Sequence, residues 1–160
     1  DRARLLDLLN EAPKSTQIKL IEKRTGLKLD PSDVGVGISQ VLPIIVGAVV
    51  PGGSVVAIEQ PELHIHPAMQ VALGDLFIEG ATKRGMSFLI ETHSEHLILR
   101  LMRRIREGCV SPSQIGVVFV EPVQGSRRFV ELGIDKEGDF IDEWPGGFFE
   151  ESFREKFSGR

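Results

Sequence analysis

The polar residues best equipped for chemistry are crowded into two short stretches. One is Glu59-Gln60-Pro61-Glu62-Leu63-His64-Ile65-His66-Pro67, and the other is Glu91-Thr92-His93-Ser94. Carboxylates such as Glu59 and Glu62 can hold a hard cation through oxygen or take a proton from water. The neutral amide of Gln60 can orient a water but cannot act as a base at physiological pH. Imidazoles can ligate a metal or hydrogen-bond an anion. A third stretch, Asp33-Val34-Gly35-Val36-Gly37-Ile38-Ser39-Gln40, runs into an apolar segment. Its glycines let backbone approach a ligand closely, and a helix starting there offers free N–H groups to an anion.

The elements that would position these residues can be read around them. Residues 54–58 are a short β-branched run without polar alternation, which predicts a strand buried on both faces. A helical pattern follows from Pro67 to about Lys83 and stops at Gly85, and a second apolar strand covers 87–90. Strand, helix, strand in this order is a βαβ unit, so the two strands are expected to be parallel neighbours. Both polar stretches then fall at the carboxyl ends of their strands, the edge where open α/β sheets bind ligands. Glu59, Gln60, Glu62 and His93 are therefore expected to converge on one site.

Outside this unit, residues 3–25 read as one or two polar helices, followed by a linker from Gly26 to Asp33 in which Asp30-Pro31-Ser32-Asp33 makes a turn or cap. The apolar segment ending near Val50 reads as a buried helix. Because proline is best tolerated near a helix start, Pro43 places that start close to Ser39. Pro51-Gly52-Gly53 reads as a turn. A further helix is expected over about 95–107, and two more strands over 115–120 and 128–132. A turn at Pro145-Gly146-Gly147 and a short helix close the sequence, with Phe149, Phe153 and Phe157 as a packing stripe and Trp144 in the core. This gives three regions: a helical segment at 1–32, the motif-bearing region at 33–110, and C-terminal strands with a short helix at 111–160.

The 160 residues suit one α/β domain with a single core. The longest apolar run, Val41 to Val50, is about half of what a membrane-spanning helix needs. No stretch has the layout of a signal peptide, and the single cysteine, Cys109, cannot form an internal disulfide, which fits a cytoplasmic protein. A net charge of −4 gives the chain as a whole no electrostatic footprint for nucleic acid. The charge is uneven, with nine acidic and two basic residues between Glu131 and Glu155, and arginines at 100, 103, 104 and 106. The arginines suit a solvated helix face, with contact to nucleic acid or an effector protein as the other option.

The strand ending in Glu59-Gln60-Pro61 and the His-containing loop after it resemble the Walker B motif and D-loop of ABC-type ATPases. Leu89-Ile90-Glu91-Thr92-His93 is similar to the strand leading to the switch histidine of that family, and Val34 to Gln40 to a divergent signature motif. In wording the sequence is similar to the overcoming-lysogenization-defect-like and SMC-like branch, and within it to predicted prokaryotic AAA-type ATPases with a tail of unknown function. The run Trp144-Pro145-Gly146-Gly147-Phe148-Phe149 looks like that tail. The resemblance implies a P-loop NTPase fold with parallel strands flanked by helices, and ATP and Mg²⁺ as cofactors. It implies roles for residues: Glu59 holding Mg²⁺ through water, Gln60 in the position of the catalytic glutamate, and His93 reaching the γ-phosphate. Glu62 is the carboxylate that could replace Gln60 as base. Gly35, Gly37, Ser39 and Gln40 would meet nucleotide. In this family each ATP lies between two subunits, which implies a homodimer of the full-length protein.

The sequence departs from the family pattern. No Gly-x-x-x-x-Gly-Lys-Ser/Thr occurs, so the loop that cradles phosphate is absent. With a first residue that is Asp rather than Met, the chain is expected to be the C-terminal half of such an ATPase, with the Walker A portion upstream, and to be inactive alone. Two other functions fit parts of the pattern. Gln60 would suit a nucleotide-gated dimerisation module with little hydrolysis. His64-x-His66 in an extended segment would point both imidazoles one way and, with His93 and Glu59, could make a metal-dependent hydrolase.

Overall fold

The computed structural model describes residues 17–49 and 55–145. The expected helices before residue 17, the turn at Pro51-Gly52-Gly53, Gly146-Gly147 and the Phe149/Phe153/Phe157 stripe lie outside the described residues. The structure divides into two compact units, with the boundary between Ser39 and Gln40.

In the first unit the described residues 17–25 are not helical. Strand β1 (Leu20–Ile21) pairs antiparallel with β2 (Lys28–Leu29). The sequence reverses at Gly26, whose φ of 71° is the left-handed conformation that glycine adopts freely. Glu22 accepts from the Thr25 N–H at 3.0 Å, and Lys19 bonds both oxygens of Asp30 at 2.6 and 2.7 Å. These local bonds give the backbone an alternative to helix, which is why polar helix-like composition misleads here. A 3₁₀ turn, Pro31–Asp33, follows as expected for a cap, with the Asp30 N–H donating to Asp33 Oδ2 at 3.0 Å.

Helix α1 (Val36–Val49) begins three residues before the expected start at Ser39, so Pro43 lies inside it. Proline there removes one intrahelical bond and crowds the preceding turn. Burial of Val41 and Ala48, with Ile44 packed on the core, supplies the opposing gain on one face.

The second unit holds the predicted βαβ order. Strand β3 (Val55–Glu59), helix α2 (Pro67–Arg84) and strand β4 (Ser87–Glu91) are followed by helix α3 (Glu95–Arg106). β3 and β4 are parallel and in register, from Val55 opposite Ser87 to Glu59 opposite Glu91. The core gathers Val41, Leu73, Phe77 and Leu97, with Ile58, Phe88 and Ile90 against it. Phe77 and Phe88 rings lie 5.1 Å apart. Gly80 makes room for this contact, since a Cβ there would sit 2.8 Å from Phe88. Burial on both faces of the strands is not what the structure shows. Val56, Ile58, Phe88 and Ile90 face the core, whereas Val55 is 73% and Leu89 69% exposed.

Helix ends follow local chemistry. His66 caps α2 and Pro67 opens it; Gly85 closes it with a left-handed φ of 66°. Ser94 caps α3, accepting from the Leu97 N–H at 3.0 Å, and Arg103, Arg104 and Arg106 lie in its last turn, favourable for the helix dipole. Two later strands, β5 (Val117–Val123) and β6 (Ser126–Leu132), form an antiparallel hairpin. Trp144 packs edge-on against Phe119 and Phe140, with centroids 6.1 and 5.0 Å away, as expected of a core residue. The mixed α/β architecture, with a parallel strand pair and flanking helices, is the predicted fold class. No described helix is long and apolar enough to cross a membrane.

Candidate functional site

The carboxyl ends of β3 and β4 are tied together at once: the Gln60 N–H donates to the Glu91 carbonyl at 2.8 Å. Gln60 has a φ of 46°, so the chain leaves β3 through a left-handed residue and turns sharply. Residues 61–64 form turns, with Leu63 N donating to Gln60 O at 3.1 Å and Ile65 N to Glu62 O at 3.3 Å. His64 also has a positive φ, 59°.

The polar side chains at this edge fall into two groups. Those of Glu59, Gln60, Glu91 and His93 make no hydrogen bond or ion pair with described residues. Glu59, Glu91 and His93 are exposed and Gln60 is half-buried. Because Glu59 and Glu91 are register partners, their side chains leave the same, exposed face of the sheet from neighbouring positions. The second group is committed internally. Glu62 accepts from Thr92 Oγ1 at 2.8 Å through one oxygen and from the His93 N–H at 2.6 Å through the other. Thr92 Oγ1 in turn accepts from the Ser94 N–H at 3.0 Å. Buried Ser94 donates to Gln70 Oε1 at 2.7 Å, and Gln70 Nε2 donates to the Ile65 carbonyl at 3.1 Å.

Glu59, Gln60, Glu62 and His93 all lie at or just beyond the carboxyl ends of β3 and β4, and Glu62 differs from the other three: both its oxygens serve the neighbouring loop. Thr92, Ser94 and Gln70, which hold that loop, were not singled out from the sequence. A serine directly before a helical pattern is a cap signal, and at Ser94 it could have found part of this network. Glu91 was likewise passed over as a site residue, although the parallel register alone sets it beside Glu59.

Of the glycine-spaced stretch, Gly35 is exposed and its carbonyl receives the first α1 bonds, from Ile38 N at 2.9 Å and Ser39 N at 3.5 Å. Gly37 is buried in the first turn. Ser39 donates its hydroxyl to the Pro31 carbonyl at 2.8 Å, inside the first unit. Gln40, in the second unit, meets His64: Oε1 and Nδ1 are 3.0 Å apart.

The histidine metal set does not form. His64 and His66 are not in an extended segment, so the two-residue alternation that would align them is lost. His64 is engaged by Gln40, and His66 Nδ1 accepts from the Ala68 N–H at 3.2 Å. Among the described residues no group of three or more His, Cys, Asp or Glu is placed to hold a metal ion. The arginine-rich face is also internally paired. Arg100 and Arg104 bond Asp75 at 2.6 and 2.7 Å, Arg103 bonds Glu107 at 2.7 Å, and Arg106 bonds Asp139 at 3.1 Å. Hydrogen bonds from Arg100 and Arg104 hold the Asp75 carboxyl well below the usual aspartate range. Those from Arg103 and Arg104 lower Glu107.

Comparison with known families adds one decisive match. The sequence model of the family described as "AAA domain, putative AbiEii toxin, Type IV TA system" covers residues 2–100, more than half of the chain. The chain belongs to that family. Neither the curated proteins nor the solved structures contain a match. Membership makes this an AAA-type domain of the P-loop ATPase superfamily, and the matched span includes β3, α2, β4 and the first half of α3. The donors present suit such a family's cofactor. Mg²⁺ takes oxygen ligands and keeps several waters, and Glu59 offers an exposed, uncommitted carboxylate with that of Glu91 beside it.

Proposed function

We propose that these residues form the hydrolytic half of an ATP site, acting with a phosphate-binding loop that the 160 residues do not contain. The observation that carries this reading is the sorting of side chains at the β3/β4 edge. Glu59, Gln60 and His93 project from strand tips without internal partners, over loops whose other polar groups are bonded to one another. Free polar groups on a braced frame are the arrangement that binding and catalysis require. Glu59 would hold Mg²⁺ through water, with Glu91 adding negative potential beside it. Two like charges in register repel, and a cation would relieve that repulsion. His93 would donate to the γ-phosphate, and Gln60 would orient the attacking water. Gly35, Gly37 and Ser39, at the start of α1, and Gln40 would face the nucleotide of a second copy, making the working unit a homodimer.

Gln60 supports slow turnover within this reading. An amide orients water without taking its proton, and Glu62, the carboxylate that could replace it as base, is already bonded through both oxygens. A nucleotide-gated dimer that hydrolyses slowly is therefore the form of the function favoured here.

Steady-state phosphate release by the full-length protein tests the assignment. Glu59→Gln and His93→Ala should each lower turnover about a hundredfold, in the range seen when a positioned charge-stabilising group is removed. Thermal melting should change by less than about 0.5 kcal/mol, as for surface sites without partners. Turnover unaffected by both substitutions would refute the site.

A further inference from the structure

Glu62 is the residue whose observed bonding fits least well with the part its position suggests. It lies in the turn after β3, three residues beyond Glu59, yet its carboxylate spans to the loop after β4. One oxygen receives the Thr92 hydroxyl at 2.8 Å and the other receives the His93 backbone N–H at 2.6 Å. Hydrogen bonds to an ionised carboxylate are among the stronger ones available to a protein, roughly twice a neutral pair. Thr92 is then held from a second side, since its oxygen accepts from the Ser94 N–H at 3.0 Å. Ser94 is in turn the cap of α3 and donates to Gln70 in α2 at 2.7 Å. His93 sits in the middle of this frame, its backbone fixed and its imidazole exposed without a partner.

From this geometry we infer that Glu62 is a positioning residue: it clamps the Thr92 hydroxyl and the His93 backbone N–H to the loop after β3, so that the two loops move as one body. Its carboxylate sets the direction of His93 and does not act on water itself. The role of His93 rests on the ATPase reading above; the clamp does not. Without the carboxylate, residues 92 and 93 keep the backbone bond between Gln60 and Glu91 on one side and the Ser94 cap on the other, and lose what fixes the backbone between them. The imidazole would then sample several directions, which lowers the fraction of molecules ready to react rather than the affinity for nucleotide.

Two measurements on Glu62→Ala, Glu62→Gln and Thr92→Val test this. The first is amide hydrogen exchange over residues 91–96, which requires no nucleotide. Glu62→Ala should speed exchange there about tenfold or more, the effect of losing bonds to a charged acceptor. Thr92→Val loses the Thr92–Glu62 bond and the bond from the Ser94 N–H but keeps the His93 N–H on Glu62, so exchange at residue 93 should fall between Glu62→Ala and wild type. The second is phosphate release by the full-length protein. Glu62→Ala should lower kcat about tenfold or more with KM within about twofold. Glu62→Gln retains an amide oxygen for the His93 N–H, so it should recover both readouts to within about threefold of wild type. Unchanged exchange in Glu62→Ala would overturn the clamp. Glu62→Gln as inactive as Glu62→Ala, with exchange still protected, would also overturn it and make Glu62 a chemical base. If the wild-type protein releases no phosphate, the ATPase reading fails, and the exchange result alone decides for or against the clamp.

Discussion

At the scale of single residues, Gln60 sets the expected rate. It occupies a left-handed conformation at φ 46°, which costs a non-glycine residue of order 1–3 kcal/mol and persists only where surrounding bonds enforce it. Here the enforcing bond is the one from its N–H to the Glu91 carbonyl. Gln60→Glu keeps the side-chain length and adds no new backbone strain, so it isolates the chemical difference between amide and carboxylate. It should raise phosphate release by about tenfold or more, the usual gain from a positioned base. Unchanged turnover in single-turnover and steady-state assays would mean that proton removal from water is not limiting. The types of these residues were legible in the sequence; their commitments were not. Glu59, Gln60 and His93 stand out in the sequence as polar groups at strand ends, and their side chains are free, as is that of Glu91. Glu62 looked equivalent because spacing along the chain cannot show that a carboxylate will turn toward a loop 31 residues away. The same holds for Gln70 and Ser94, whose partners are distant in sequence.

Among the elements, those bounded by strong local signals matched the sequence best. Pro67 and Gly85 delimit α2 and Ser94 begins α3, because caps and left-handed turns depend on one or two residues. Where tertiary packing decides, reading failed. Pro43 argued for a later start of α1, but burial of Val41 and Ala48 outweighs the lost bond. The unbroken apolar runs of β3 and β4 suggested cover on both faces, whereas periodicity reports only what could be buried. The α2–α3 pair yields a stability prediction. Asp75 of α2 bonds Arg100 and Arg104 of α3, and these bonds depress its carboxyl in the folded state. A depressed carboxyl contributes stability that is complete above the unfolded aspartate range, about 3.9, and fades as pH falls through the lower folded value. Asp75→Asn should therefore cost about 1–2 kcal/mol at pH 7, between the worth of an exposed pair and a buried one. Melting curves of both proteins should draw together from about pH 4 downward. A gap that stays constant to pH 2 would assign the loss to packing instead of charge.

For the whole molecule, the proposed homodimer makes the start of α1 the place to interfere. Gly37 is buried, so bulk there risks unfolding; Gly35 is exposed, and a Cβ on it would meet nothing within 4 Å. Gly35→Arg should leave thermal stability within about 0.5 kcal/mol. ATP-dependent dimerisation of the full-length protein, followed by sedimentation, should be abolished. Dimerisation at wild-type nucleotide concentrations would return residues 33–40 to a plain connection. The far end of α3 has a consequence of another kind. Arg106 there bonds the Glu137 carbonyl at 2.9 Å and Asp139 at 3.1 Å, and Gly138 lies so near that a Cβ would be 2.3 Å from the Met102 carbonyl. The near end of the same helix is the Ser94 cap beside His93. A helix of 12 residues spans about 18 Å and does not shorten under modest load. It is a strut with one foot at the histidine loop and the other against residues 137–139, so the length of one helix fixes how far these two segments stand apart.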